Sequence, residues 1–266
     1  MNTPPVPQPQ IQDGFVHWRL TSPEEFKPIA EDFSQDLGWI FRGHAQSDWR
    51  LETSLDRLLA RIQPKDINLD STYKFQLKLF AQAIRGRTNA SKDVDTNQDE
   101  LWALGQHHGL ATPLLDWTCS LYVALFFAFI DPDSPPCGYR SVWALHRGII
   151  YKEMSQYNEG LPYDQQFSFV DPLTDCNARL VSQSGVFTRQ PLSFDIVEWV
   201  KQSFRGLGER RLCKIDIPNS DRLGILRHLR QMNIHSGSLF PDVAGASLSC
   251  NETLELLADQ RKRAPF

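Results

Sequence analysis

Four short stretches carry polar residues where packing alone would not place them. In the first, the apolar run Trp39-Ile40-Phe41 ends in Arg42, Gly43 and His44. A guanidinium fixed at a strand end presents a planar fork that suits a carboxylate or a phosphate. Gly43 lets a ligand or a neighbouring backbone come close. The alternative is that Arg42 pairs with an internal acid and only staples the fold. In the second, Gln106-His107-His108-Gly109 holds adjacent histidines. Neighbours point ~100° apart on a helix and to opposite faces of a strand. A zinc-binding helix needs them four apart. No metal site is expected, and at most one of the two imidazoles is functional.

The third stretch follows directly. Asp116, Thr118 and Ser120 interrupt an apolar passage from strand to helix. Either these groups line a cleft where the strand ends, or one of Asp116 and Thr118 caps the helix. In the fourth, strand geometry puts Arg179, Val181, Gln183, Gly185 and Phe187 on one face. The Gln183 amide then faces an open space, or it bonds backbone at a sheet edge.

Helices and strands must hold these groups. Ser22 caps a helix beginning at Pro23, and Thr53 or Ser54 caps another that Pro64 ends. From Ser71, residues Tyr73, Leu77, Phe80 and Ile84 form a stripe that Phe75 and Leu79 widen. Residues 120–130 are apolar all round, and Ala124, Ala128 and a Thr118 cap favour a buried helix over a strand. Further helices are expected over 221–233 and over 252–262, the latter capped by Asn251. Strands are expected over 38–43, 141–147, 179–188 and 212–217; the last alternates Cys213, Ile215 and Ile217 with Lys214 and Asp216. Stretches 88–99 and 131–140 read as loops. Helices and strands mix without regular alternation. The expected class is α+β, a single domain with mixed or antiparallel core sheets and surrounding helices.

Composition bounds the rest. The chain has 266 residues, 28 Lys+Arg and 32 Asp+Glu, for a formal charge of -4. That balance lacks the basic footprint of an obligate nucleic-acid binder, though it leaves a local basic groove open. Hydrophobic residues make up 41 %, enough for a substantial core. The first ten residues hold four prolines and read as an extended or disordered lead-in, followed by a domain over 11–250 and a C-terminal helix and basic tail over 251–266. The longest apolar run, 121–130, is half the ~20 residues that cross a bilayer. Five scattered cysteines form no CxxC pair. The expectation is a soluble, reduced, cytoplasmic protein without a membrane partner.

In this order, the four stretches resemble the FRG domain family, which takes its name from the motif seen here as Phe41-Arg42-Gly43. The resemblance runs through FRGHAQSDWRLETSLDR (41–57), QHHGLATPLLDWTCSLYVALFFA (106–128), the Arg179/Gln183/Gly185/Phe187 stretch and Ser238-Leu239-Phe240-Pro241-Asp242. It spans residues 38–245. The plan is also similar to that of arginine-type ADP-ribosyltransferases. That likeness implies a split sheet and NAD as substrate. It makes Arg42, Gly43, His108, Thr118 and Ser120 the binding residues, and Gln183, Asp116 and His107 the catalytic ones. Gln183 stands where those enzymes have a glutamate, and an amide supplies neither a base nor negative charge. Either the carboxylate then comes from elsewhere, Asp116 first and Glu198 second, or catalysis does without it, or the domain binds without turnover. The resulting expectation is an NAD-consuming toxin or stress/defence effector acting on a macromolecular acceptor. The alternatives are a non-catalytic module binding a phosphorylated small molecule or a partner, and a nuclease using His107, His108 and Asp116.

Overall fold

The computed structural model describes residues 9, 11–63, 69–87, 97–172 and 178–263. Most of the expected lead-in and most of the 88–99 loop lie outside these residues. In chain order the elements are β1 (Phe15–Arg19), α1 (Phe26–Phe33), β2 (Trp39–His44), α2 (Ser54–Ile62), α3 (Leu69–Ala83), α4 (Gln98–His107), β3 (Leu114–Thr118), α5 (Leu121–Phe129) and β4 (Tyr139–His146). There follow α6 (Arg147–Tyr157), β5 (Ser168–Val170), α7 (Ala178–Ser182), β6 (Gly185–Arg189), α8 (Ile196–Ser203), β7 (Leu212–Pro218), α9 (Arg222–Gln231), α10 (Ser236–Leu239) and α11 (Val243–Arg263).

The fold is α+β, as expected. Among the described residues the strands form one seven-stranded sheet, in the order β1-β7-β4-β2-β3-β6-β5. β1 runs parallel to β7 and the other neighbours are antiparallel. The sheet is continuous, but one residue pair, Phe41 with Thr118, joins β2 to β3. Beyond that pair the two strands separate.

Each face of the sheet has its own core. Phe41, Val142, Cys213 and Ile215 pack under α1, α5 and α9. Ile40, Trp143, Leu145 and Trp117 pack under α6 and α8. At the β3–β6 end, α3 and α4 bring Tyr73, Leu77 and Trp102 against Leu114 and Phe187. The alternation read in β7 holds: Cys213, Ile215 and Ile217 join the α5 face, while Asp216, on the other, is nevertheless buried.

α5 is the buried helix predicted from its all-apolar sequence. Its cap is Ser120, whose hydroxyl accepts the Val123 N–H. Thr118, expected as the cap, sits inside β3 instead. Gly43 is what admits this helix. A Cβ there would lie 2.0 Å from the Ala124 carbonyl oxygen and 2.6 Å from the Ala128 nitrogen. Of the two approaches Gly43 could permit, the structure uses the one by backbone.

Other departures have local causes. Pro23–Glu25 forms only a 3₁₀ turn, and Ser22 makes no capping bond; Thr21 bonds Glu25 instead. Thr53 does cap α2, accepting the Asp56 N–H. Phe75 and Leu79 point to solvent, so the α3 stripe is narrower than predicted. Asn251 lies inside α11, which begins eight residues earlier, at Val243. The strand expected over 179–188 is a helical turn, α7, followed by β6. Ser184, with φ of 47°, makes the reversal between them. Arg179, Val181 and Gln183 therefore do not share a strand face with Phe187. Asn97, at the edge of the expected 88–99 loop, caps α4.

Candidate functional site

The separation of β2 from β3 leaves backbone carbonyls without a strand partner, and Arg42 takes one of them. Its Nη1 donates to the Asp116 carbonyl at 2.7 Å, with the Asp116 carboxylate 3.4 Å away. Its Nε donates to His44 Nε2 at 3.0 Å. Nη2 has no hydrogen bond among the described residues. The Arg42 side chain is 18 % exposed and that of Asp116 58 %. Burial draws the guanidinium down from its ordinary value and Asp116 opposes the shift. An arginine stays charged through such a change.

His44 is the residue that orients Arg42. Burial, followed by the Arg42 charge, holds its imidazole well below the ordinary histidine value of 6.5. It is therefore neutral, and because Nε2 accepts from Arg42 its proton resides on Nδ1. The unfolded chain takes up a proton near pH 6.5 that the folded chain refuses. His44 thus supports full stability above that pH and withdraws it as pH falls below. His44→Gln, a neutral acceptor that does not titrate, is expected to flatten the acid limb of a melting-temperature profile between pH 7.5 and 5. An identical acid limb in both proteins would show that His44 is not buried neutral.

Asp116 is held from its other side. Gln106 Nε2 donates to both carboxylate oxygens, at 3.1 and 3.0 Å. The buried Thr112 hydroxyl donates to Gln106 Oε1, which fixes the amide so that its NH₂ faces the acid. Thr112, Gln106, Asp116, Arg42 and His44 thus form one chain of oriented polar contacts across three elements.

Arg42 and Asp116 border a cleft of about 470 Å³, lined also by Thr118 and by the apolar walls Trp117, Phe127 and Phe240. A smaller space of about 180 Å³ adjoins it, sharing Asp116, Trp117, Gln183 and Phe240 and adding His107 and Arg179. Arg179 pairs with Asp242 and covers the Phe240 ring at 5.5 Å, which fastens that wall.

The predicted site residues meet mixed fates. Arg42, Gly43, Asp116, Thr118, Gln183 and His107 all border one or other space. Gly43 does so while serving α5. Thr118 donates its hydroxyl to the Gln183 carbonyl at 2.6 Å and accepts the Ser120 N–H. The Gln183 amide donates to the Leu239 carbonyl at 3.1 Å, the backbone-bonding alternative given above. His107 is drawn below its ordinary value by partial burial, then by His108 and Arg179. His108 ends α4 and borders neither space; its ring meets the edge of His107 at 4.8 Å. Ser120 is a cap and borders neither. Glu198 lies on α8, bonded to Gln202, away from the cleft. Among the described residues no group of three or more His, Cys, Asp or Glu could hold a metal ion, and no helix is long and apolar enough to cross a membrane.

Sequence reasoning missed His44, Gln106, Trp49 and Phe240 as parts of the site. Arg42 and His44 stand two apart on a strand, a spacing that puts both on one face. That signal was present in the sequence. The contacts of Gln106 depend on the turn between α4 and β3, and those of Phe240 on segments far apart in the chain; neither left a signal in the local pattern.

Fold and site together define an α+β protein whose sheet opens between two central strands around an anchored arginine. Residues 38–136 match the family model of the FRG domain. The matched stretch contains β2, β3 and α5 with Arg42, Gln106 and Asp116, while Gln183 and Phe240 lie beyond it. No curated protein matches the chain. No solved structure matches it either.

Proposed function

We propose that the cleft binds NAD through its phosphates and transfers ADP-ribose, with Asp116 as the working carboxylate. The observation that carries this is the Arg42 guanidinium, anchored through Nε and Nη1 at the cleft while Nη2 has no hydrogen bond among the described residues. A pre-oriented guanidinium of this kind suits a phosphate. The order of elements supports the same reading. The arginine strand β2, the hydroxyl-bearing strand β3 running into α5, and β6 are adjacent in the sheet. The aromatic walls suit a flat ring.

In the transfer, the bond between the nicotinamide nitrogen and the ribose C1′ breaks and nicotinamide leaves neutral. The carboxylate of Asp116 stabilises the positive charge that develops on the ribose. An acceptor heteroatom then bonds to C1′ and gives its proton to Asp116. This reading assigns no step to Gln183, whose Nε2 donates to the Leu239 carbonyl.

Incubating the chain with NAD and following free nicotinamide tests the reading. Release by the wild type, together with loss of ADP-ribose binding in Arg42→Ala, is the expected result. No release with a broad set of acceptors, while ADP-ribose still binds, would favour a second reading. That reading is a non-catalytic phosphate-binding module, and the contact of Arg42 with its own acid at 3.4 Å is the observation in its favour.

A further inference from the structure

A second cavity, of about 550 Å³, lies between the loop after β2 and the start of α8. Trp49 borders both this cavity and the cleft. His44 connects the two regions. It takes the Arg42 Nε–H at 3.0 Å, and its ring centroid lies 6.1 Å from that of Trp49 and 6.4 Å from that of Trp143. The phosphate anchor of the cleft and the aromatic partition beside the second cavity therefore meet at one imidazole.

The charges of the second cavity narrow its ligand. Arg50 is matched by Asp195 at 2.7 Å and Lys214 by the buried Asp216 at 3.3 Å. Asp56 accepts the Thr53 hydroxyl and the Ser193 N–H. Asp48 and Glu52 remain, bordering the cavity without side-chain partners among the described residues. Two free carboxylates repel a phosphate and accept hydrogen bonds from hydroxyl or amino groups. Trp143, also in the lining, is 5 % exposed, and its indole N–H has no partner among the described residues. A buried donor of this kind calls for an acceptor. Trp49 and Phe194 add aromatic surface. A flat heterocycle with ring acceptors, carrying a sugar with free hydroxyls, meets all of these demands. A second phosphate does not.

We infer that this cavity holds the adenosine half of a dinucleotide whose phosphates lie at Arg42, with Trp49 between the two halves. The inference rests on the phosphate-binding reading of the cleft. Its test is calorimetric titration of the full chain with ADP-ribose and with ribose 5-phosphate, which lacks the adenosine and one of the two phosphates, so the cavity variant Ala60→Trp isolates the share of the adenosine. Stacking of one base strengthens binding about tenfold or more, so ADP-ribose is expected to bind tighter by at least that factor. Ala60 borders the second cavity and not the cleft, and it is exposed on α2. Ala60→Trp is expected to remove the advantage of ADP-ribose and leave ribose 5-phosphate unchanged. Glu52→Ala, a smaller change, is expected to weaken ADP-ribose alone. Equal affinities in the wild type, or an Ala60→Trp protein that still favours ADP-ribose, would overturn the inference and leave the reading of the cleft intact. Failure of both compounds to bind would overturn both.

Discussion

Asp116→Asn is expected to lower nicotinamide release from NAD by 10²–10³-fold, in line with the removal of one group that stabilises developing charge. The same variant is expected to bind ADP-ribose as tightly as the wild type or more tightly. The two directions follow from the way Asp116 is built into the site. Its backbone carbonyl, not its carboxylate, makes the short bond to Arg42, at 2.7 against 3.4 Å. Asparagine keeps that carbonyl and one acceptor for Gln106. The substitution removes the negative charge beside the guanidinium, which leaves Arg42 freer for a phosphate. Arg42→Ala has the opposite signature, because it removes the anchor and binding fails first. Unchanged nicotinamide release in Asp116→Asn would place the carboxylate elsewhere. Tighter binding with no turnover in either protein is the signature of the non-catalytic module.

The elements that position the site were legible where periodicity was strong. The all-apolar run of α5, the alternation of β7 and the capping threonine of α2 each follow from local residue pattern. Arg42 was legible as a charge breaking the apolar run Trp39-Ile40-Phe41, which left open both a ligand role and a staple to an internal acid; the pattern did not show that β2 continues to His44. Legibility ended where a turn decided the outcome. Residues 179–188 look like a strand until the left-handed Ser184 divides them, and this moves Gln183 from a strand face into a loop where Leu239 engages its amide. It also ended where contacts depend on how one element enters or meets another. Gln106 and Asp116 are ten residues apart and their pairing depends on how α4 enters β3. Phe240 reaches the cleft beside Arg179, which pairs with Asp242 and ties α7 to the segment after α10.

The roles of Thr118 and Ser120 show how one motif divides its work. Both hydroxyls looked equally able to bind a ligand. Ser120 stands one residue before the first turn of α5 and accepts an orphan N–H there. Thr118, two residues earlier, is still in the ladder opposite Phe41 and Gly185. Its hydroxyl joins β3 to the Gln183 carbonyl and so holds the far wall of the cleft at a fixed distance from Arg42. The strand-to-helix passage thus builds the cleft mainly by bonding to other parts of the protein, and Asp116 is the polar group in it that remains more than half exposed.

Gly43→Ala is expected to be among the most damaging single changes in the chain, although it adds one methyl group. The new Cβ meets the α5 backbone at Ala124 O, Ala128 N and Ala124 C, at 2.0, 2.6 and 3.1 Å. Backbone atoms of a buried helix cannot turn aside as a flexible side chain would. Ala124 and Ala128 are fully buried, so α5 itself must move away from β2. Overpacking of this kind costs about 3 kcal/mol, the upper end of its usual range. For a chain of this size that corresponds to a fall in Tm of roughly 6–12 °C. The displaced helix carries Phe127 at its end, with Ile130 and Asp131 just beyond, and all three line the cleft. Ligand binding is therefore expected to weaken together with stability. Gly109→Ala supplies the contrast. Gly109 has a φ of 85° and nothing within 4 Å of its added Cβ, so only backbone strain of about 1–2 kcal/mol is at issue. Melting curves for the two variants separate the causes. A Gly43→Ala protein that melts no lower than Gly109→Ala would show that β2 and α5 are not in backbone contact, and the wall opposite Arg42 would have to be placed anew.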